Sequence, residues 1–166
     1  MIIKTPKISQ QKLFTLLAQK EAWIRKKLQK EFALKPKELQ EVEFLGEIYK
    51  VEALPELHKA LQRAKTIIPQ TFQKKYDQFL KSKAQTYIPQ RVAYFAQQMN
   101  IEYKTIRFRK MKRRWGSCSK DGVLTFNTNL MKKEKNFIDE VVVHELAHRV
   151  HFNHSKAFYK LMNKYI

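Results

Sequence analysis

The sequence predicts a single α+β domain from its length, its ordinary globular composition and its mixture of helix-like and strand-like segments without repeats. The chain has 166 residues, of which 43% are hydrophobic and 12% aromatic, with three glycines and five prolines. A chain of this length can bury roughly two-thirds of its unfolded surface, enough for one core. The composition argues against a disordered, collagen-like or low-complexity chain. We expect residues 1–166 to form one domain, with an amino-terminal strand and helix region over 1–100 and a second part from about 101 to 166.

The amino-terminal region begins with a predicted strand over residues 2–7, followed by a helix that Ser9 can cap. The apolar residues of this helix recur at helical spacing, and we expect them to belong to the core; they are Leu13, Leu16, Leu17, Trp23, Ile24 and Leu28. Residues 44–51 then indicate two short strands around Gly46, because glycine accepts the positive φ of a tight turn.

Residues 56–100 have the apolar periodicity of helices, interrupted by Pro69 and Pro89. Since proline ends or kinks a helix, we expect two or three helices in this segment.

The remaining elements are two strands and a long helix. Residues 105–110 alternate between apolar and polar, as a half-buried strand does, and a second strand over 123–127 follows a turn at Asp121-Gly122. We expect a small antiparallel sheet. A helix over 137–152 completes the fold, with Asn136 as its cap and Asp139 three residues further on.

The charge of the chain is its most unusual bulk property. The formal net charge is +19. Such an excess of lysine and arginine attracts polyanions, so a nucleotide or nucleic acid is a candidate partner. The alternative is a solvated basic surface, because the lysines are scattered along almost the whole chain.

The single cysteine, Cys118, bears on the compartment. It cannot form an internal disulfide, which favours a reducing environment and therefore the cytoplasm. The first residues lack the pattern of a signal peptide, and no apolar run is long enough for a membrane span, so no membrane partner is expected.

The sequence His144-Glu145-Leu146-Ala147-His148 is an H-E-x-x-H motif on the last predicted helix. Residues four apart lie about 40° around the helix axis and one turn along it, so both imidazoles can bind one metal ion. Glu145 is offset on the same turn, which suits a base that contacts the metal-activated water rather than the metal. The alternative, a helix whose histidines have no chemistry, is less favoured because apolar residues flank the motif and would hold the histidines rigidly.

A catalytic zinc normally takes three protein ligands, and two histidines compete for the third position. His151 lies about 10 Å along the helix axis from His144, too far for both to bind one ion through a straight helix. His154 is the better choice because Asn153 can stop the helix in a left-handed conformation and let the chain turn back. His151 is then expected near the metal ligands or on the surface, with a ligand role as the alternative.

Three blocks of sequence resemble one known family. They are Lys112-Arg113-Arg114-Trp115-Gly116-Ser117-Cys118-Ser119, then Gly122-Val123-Leu124-Thr125-Phe126-Asn127 with Leu130, then Val142-Val143-His144-Glu145-Leu146-Ala147-His148 continuing to Asn153-His154-Ser155 and Phe158. The chain resembles the YgjP-like metal-dependent hydrolases, which are related to the SprT and WLM zinc metallopeptidases. The resemblance is sharp over about residues 107–158. It implies a compact gluzincin-like (zincin) catalytic core, zinc ligands at His144, His148 and His154, and Glu145 as general acid and base.

The basic segment before Gly116 is a candidate for substrate binding. Arg113 and Arg114 can bind a carboxylate or phosphate through forked hydrogen bonds, although solvated arginines beside a turn are equally expected. Asn127, at the end of the second block, is a weaker candidate for the same role. Ligation of the metal by Cys118 is disfavoured, because four protein ligands would make the site structural.

We therefore predict a zinc-dependent hydrolase, most simply a metallopeptidase that acts on peptide or protein substrates with Zn²⁺ as its cofactor. One alternative is a metal-dependent nucleoside triphosphate pyrophosphatase, which some relatives are described as being. Another is a basic nucleic-acid-binding module with a vestigial site, although no zinc-finger spacing or RNA-binding aromatic motif is visible.

Overall fold

The computed structural model describes residues 9–32, 41–64 and 69–166, without the side chains of 26–32. Its contacts divide the chain into one unit of residues 1–39 and a second of residues 40–166. The architecture of the described residues is mixed, with helices and two small sheets. The boundary at about residue 101 between an amino-terminal region and a catalytic core stays a prediction.

The first unit contains the helix α1, Gln10–Phe32. Ser9 caps it as predicted, since its hydroxyl accepts a hydrogen bond from the Lys12 amide at 3.4 Å. The prediction that its apolar residues form core is wrong for Leu16 and Trp23, which are 43% and 57% exposed. None of the α1 side chains that the structure describes is among the buried core residues. Helical spacing places apolar residues on one side of a helix but does not by itself bury them. The strand predicted over residues 2–7 lies outside the described part of the chain.

The second unit begins with the predicted hairpin, in which β1 (Glu41–Phe44) pairs antiparallel with β2 (Glu47–Lys50). Its two turn residues both have positive φ, 51° at Leu45 and 84° at Gly46, as a tight two-residue turn requires. The turn contacts a short 3-10 helix, Thr128–Lys132, through a hydrogen bond of 2.9 Å from the Leu45 amide to the Met131 carbonyl.

Two helices follow, in agreement with the prediction: α2 (Pro55–Gln62) and α3 (Pro69–Met99). Pro89 lies inside α3, however, and does not end it. A proline in a helix interior forfeits one hydrogen bond and crowds the preceding turn. Packing offsets this cost, since the neighbouring Ile88 and Val92 are both completely buried.

A three-stranded sheet has the order β3-β5-β4, with β3 Thr105–Arg109, β4 Gly116–Cys118 and β5 Val123–Asn127. The prediction of an antiparallel sheet is wrong for β3 and β5, which run parallel; β4 and β5 are antiparallel. The reason is β4, a strand of three small or polar residues with no alternating pattern. Because the chain runs back along β4 before it enters β5, β5 takes the direction of β3.

The helix that carries the histidine motif is α4, Lys135–Ala147. It differs from the predicted helix at both ends, beginning after Glu134 rather than Asn136 and ending at Ala147 rather than at residue 152. Asp139 is not part of a cap. Its carboxylate instead receives two hydrogen bonds from Arg91 of α3, at 2.6 and 2.7 Å, which join the two helices.

The last helix is α5, Lys156–Met162, which Ser155 caps by accepting a hydrogen bond from the Phe158 amide at 3.4 Å. Among the described residues, no helix combines the length and the apolar character that crossing a membrane requires.

Candidate metal centre and active site

Three histidines from two segments meet at the end of α4. His144 and His148 lie one turn apart on the helix, and His154 comes from the loop before α5. The Nε2 atom of His144 lies 3.2 Å from the Nε2 atom of His148 and 3.2 Å from that of His154. The structure therefore brings together the three residues that the sequence singled out as ligands.

His154 can approach His144 because α4 ends at Ala147 and the chain then turns back. Beyond Ala147 the chain turns, with the amides of Val150 and His151 both bonded to the Ala147 carbonyl. The predicted cause of the turn is wrong, because Asn153 is not among the described residues with positive φ. Tight amide–carbonyl bonds at the helix end, rather than a left-handed residue, reverse the chain.

His151 contributes its backbone rather than its ring. Its carbonyl oxygen lies 3.1 Å from Nδ1 of His148. Because a carbonyl only accepts, His148 must donate from Nδ1, which leaves its Nε2 without a proton and directed at the other two histidines. The ring of His151 is not part of the three-histidine group.

Phe158 of α5 packs beneath all three imidazoles. Its ring centroid lies 5.0, 4.8 and 4.9 Å from those of His144, His148 and His154, and the side chain is completely buried. This contact fixes the ring planes of the histidines. Sequence reasoning found Phe158 only as part of the family resemblance, since nothing in its spacing indicates a contact with the motif.

Burial keeps His144 and His148 in the neutral form that binds metal. Desolvation, with smaller contributions from the neighbouring His148 and His154, lowers the pKa of His144 to about 4. Desolvation also lowers the pKa of His148, against the opposing effect of its bond to the His151 carbonyl. Both imidazoles are therefore in the neutral form at neutral pH, in which one ring nitrogen keeps its proton and the other offers a lone pair.

Glu145 lies beside the histidines and is buried, with 5% of the residue exposed. Burial raises the pKa of this carboxyl to about 7, and the positive charge of Arg114 opposes the rise. Its Oε2 atom is buried and has no hydrogen-bond partner in the described structure. A buried carboxyl oxygen without a partner is costly, and such groups concentrate at functional sites.

Gly116 forms the wall behind this carboxyl group. A Cβ atom at this position would lie 2.5 Å from Oε1 and 2.6 Å from Cγ of Glu145. Any side chain here would therefore displace the glutamate. Gly116 is a functional position that sequence reasoning missed as such, because the motif around it indicated only a tight backbone.

A cleft of about 250 Å³ opens in front of His144 and Glu145. Its other walls come from α4 and from the segment that leads into β4; they are Arg114, Trp115, Gly116, Phe137, Glu140 and Val141. The rings of Trp115 and Phe137 meet edge to face with centroids 5.8 Å apart. Both candidate arginines are exposed; Arg114 lines this cleft, and Arg113 is not among the lining residues.

Asn127 holds the segment between β3 and β4 in place. Its side-chain amide donates to the carbonyls of Met111 and Arg114 at 2.8 and 2.9 Å, and its oxygen accepts from the amides of Met111 and Asn129. The residue is 3% exposed. The structure thus shows a residue that shapes the wall of the cleft, while substrate binding by Asn127 itself stays a prediction.

Cys118, on β4, does not join the group that can bind a metal. Burial raises the pKa of its thiol, which keeps it protonated, and its Sγ atom donates to the Ser119 carbonyl at 3.4 Å.

The donor set of this site fits a metal ion. Three imidazole nitrogens converge within 4.8 Å of one another, and two of the histidines are held neutral by burial. Three histidines that could hold one ion, beside an unpartnered buried carboxyl, match a catalytic metal site, whereas a structural site would use four protein ligands. The arrangement is one that metal-dependent hydrolases use.

The chain belongs to the YgjP-like family, whose model, a YgjP-like metallopeptidase domain, matches residues 1–166. The match spans the full sequence, and it confirms the resemblance read from the three sequence blocks. It supports a metal-dependent peptidase.

Two solved structures are similar to part of the chain. The metallopeptidase zymogen abylysin of Pyrococcus abyssi is 21% identical, with a TM-score of 0.43, over 46% of this chain and 77% of its own. The metallopeptidase zymogen jannalysin of Methanocaldococcus jannaschii is 25% identical, with a TM-score of 0.44, over 48% of this chain and 81% of its own. No curated protein matches the sequence significantly.

Proposed function

We propose that this protein is a zinc-dependent peptidase with a gluzincin-like core, in which His144, His148 and His154 bind the metal and Glu145 is the general base. The observation that carries the proposal is the convergence of three Nε2 atoms beside a buried carboxyl oxygen that has no partner. The single, protonated Cys118 is consistent with a reducing compartment, and we propose the cytoplasm.

The spacing of the histidines supports zinc. Tetrahedral zinc with bonds of about 2.0–2.1 Å to nitrogen places two ligand nitrogens about 3.3 Å apart. The two Nε2 separations from His144 are both 3.2 Å. An all-imidazole donor set also suits zinc better than magnesium or calcium, which prefer oxygen.

The protein's own contribution to catalysis is proton transfer by Glu145. A bound zinc ion supplies a Lewis acid that acidifies water and polarises a carbonyl group. Glu145 accepts a proton on its free Oε2 atom and returns it to the leaving amine. Because burial raises the pKa of this carboxyl to about 7, its acid and base forms are both populated near neutral pH, as a group that accepts and then donates a proton requires. Gly116 leaves free the space that this carboxyl occupies.

The geometry of β4 favours an extended peptide as substrate. β4 pairs with β5 along one edge, and no described strand pairs with its other edge. An extended peptide can hydrogen-bond along such an edge. Gly116, the first residue of β4, contacts Glu145, so a peptide bound there would lie beside the carboxyl group. The aromatic pair Trp115 and Phe137 then offers an apolar wall to a substrate side chain.

Substitution of the proposed base tests this function. Glu145→Gln should keep one zinc per chain and lower the cleavage of an unfolded protein such as casein by about 10²–10⁴-fold, because it removes a general base. Glu102→Gln is the matched control, since this exposed glutamate lies outside the cleft, and its rate should not change.

Two results would contradict the proposal. One is a zinc-loaded Glu145→Gln variant as active as the native protein. The other is release of pyrophosphate from a nucleoside triphosphate by a protein that cleaves no unfolded polypeptide, which would establish the pyrophosphatase alternative instead.

A further inference from the structure

The three-stranded sheet has one apolar face and one basic face. The apolar face carries Leu124 and Phe126, which are completely buried. Because side chains alternate along a strand, the opposite face carries Thr105, Arg107 and Arg109 of β3, all of which are exposed. In the register of the sheet, Arg107 of β3 lies beside Thr125 of β5, and Thr125 lies beside Ser117 of β4. The basic face therefore also offers hydroxyl groups.

The charged residues in this part of the chain are almost all basic. From residue 103 to residue 133 the sequence has ten basic residues and one acidic residue, Asp121, a balance of +9. The whole chain has 34 basic and 15 acidic residues. About half of the net charge of +19 thus lies in the 31 residues that form this sheet and its connections.

Most of these charges are not neutralised within the described structure. Of the seven basic residues from 104 to 114, Lys110 has a described ion pair, with Asp77 at 2.6 Å. Arg107, Arg109, Lys112 and Arg113 are exposed and form no ion pair with any residue that the structure describes. An exposed cluster of unpaired positive charges attracts anions from solution.

We infer that this basic face, defined as Thr105, Arg107 and Arg109 of β3, binds the phosphodiester backbone of a nucleic acid, and that the exposed residues Lys112 and Arg113, which follow in the chain, add positive charge. Phosphate oxygens are contacted mainly by arginine, lysine and hydroxyl side chains, which is the composition of this face. Arginine also binds phosphate through two parallel hydrogen bonds, as lysine does not.

The side chains of this face indicate whether binding would depend on nucleic-acid sequence. The side chains that β3, β4 and β5 direct to it include no aromatic residue, since Phe108 and Phe126 lie on the opposite face. Base stacking needs aromatic platforms, and base reading needs an element that enters a groove. Binding should therefore depend on charge and be independent of sequence. Nucleic-acid binding by this face needs neither the metal nor Glu145, so it can be tested independently of the proposed peptidase activity.

The test is the salt dependence of binding to a fluorescein-labelled 20-base-pair DNA duplex, measured by fluorescence anisotropy. Each phosphate contact contributes about −0.9 to the slope of log Kobs against log salt concentration. Arg107→Ala/Arg109→Ala should reduce the steepness of that slope by about two and weaken binding at least about tenfold at about 0.1 M salt.

The matched control is Lys74→Ala/Lys81→Ala, which removes two exposed charges from α3 instead. Its slope should remain that of the native protein. Equal effects of the two double variants would overturn the inference, because they would show attraction by net charge alone. Competition by polyglutamate as strong as that by an unlabelled duplex would also overturn it, in favour of an acidic polypeptide.

Discussion

Gly116 and Glu145 are in direct contact, such that a Cβ atom at position 116 would lie 2.5 Å from Oε1 of the glutamate. Gly116 has an ordinary backbone conformation, as it is not among the residues with positive φ. The space for a carboxyl group, rather than a special turn, therefore requires glycine here. Strand β4 and helix α4 meet at this point, so the sheet sets the position of the base.

The contact predicts that Gly116→Ala will lower turnover without loss of metal. The added methyl group must push the carboxyl of Glu145 aside, and misplacement of a catalytic group by about 1 Å can cost about 10²-fold in rate. We expect a fall of that size in kcat, measured by peptide hydrolysis, at unchanged zinc content. Ser117→Ala, one residue further along β4, is the control and should have native activity. Full activity of Gly116→Ala would refute the proposed position of the base.

The identity of the third ligand predicts a contrast between two nearby histidines. His154→Ala removes an Nε2 atom that lies 3.2 Å from that of His144 and should weaken zinc binding by more than about 100-fold, beyond the effect of losing an orienting group. His151→Ala keeps the backbone carbonyl that orients His148 and should leave zinc affinity nearly unchanged. Competition with a chromophoric chelator measures both affinities; the reverse order would assign the ligand role to His151.

The contact of Phe158 with all three imidazoles predicts that it controls zinc affinity. Phe158→Ala should cost about 3–5 kcal/mol in the free energy of unfolding, because it leaves a cavity in the core. Phe158→Leu keeps most of the volume and should remain folded, yet bind zinc about 10–100-fold more weakly, since the ring planes are no longer fixed. Native zinc affinity in a folded Phe158→Leu protein would show that the ring only fills space.

The ion pair between Arg91 and Asp139 predicts a stability effect that leaves the metal site intact. Two hydrogen bonds of 2.6 and 2.7 Å join α3 to α4 through partly buried side chains, 29% and 18% exposed. Asp139→Asn should lower the free energy of unfolding by about 1–3 kcal/mol, measured with urea. In a double-mutant cycle with Arg91→Ala the two losses should not add, and simple additivity would show that the pair is not coupled.

The sequence predicted the parts of the site that depend on local spacing. Helical geometry alone places His144 and His148 on one side of α4, so their proximity followed from a separation of four residues. His154 was favoured over His151 because a straight helix carries His151 too far away. The predicted mechanism of the chain reversal was wrong, since it depends on backbone bonds at the helix end rather than on Asn153.

The parts that escaped prediction depend on contacts between distant segments. Gly116 and Glu145 are 29 positions apart, and the short strand β4 has no periodicity that would align them. Pro89 was expected to end or kink a helix, and it does not end α3 because core packing outweighs a local penalty. The direction of β5 was likewise set by β4, whose existence the sequence did not reveal.

The decisive measurement is the zinc content per chain, because His144, His148 and His154 are proposed to bind the ion. The protein would be purified without chelator, gel-filtered and subjected to elemental analysis, with His144→Ala/His148→Ala prepared in parallel as a control for adventitious metal. We expect about one zinc per native chain, bound by the three converging histidines, and almost none in the double variant. A native protein without zinc, which added zinc does not fill, would contradict it.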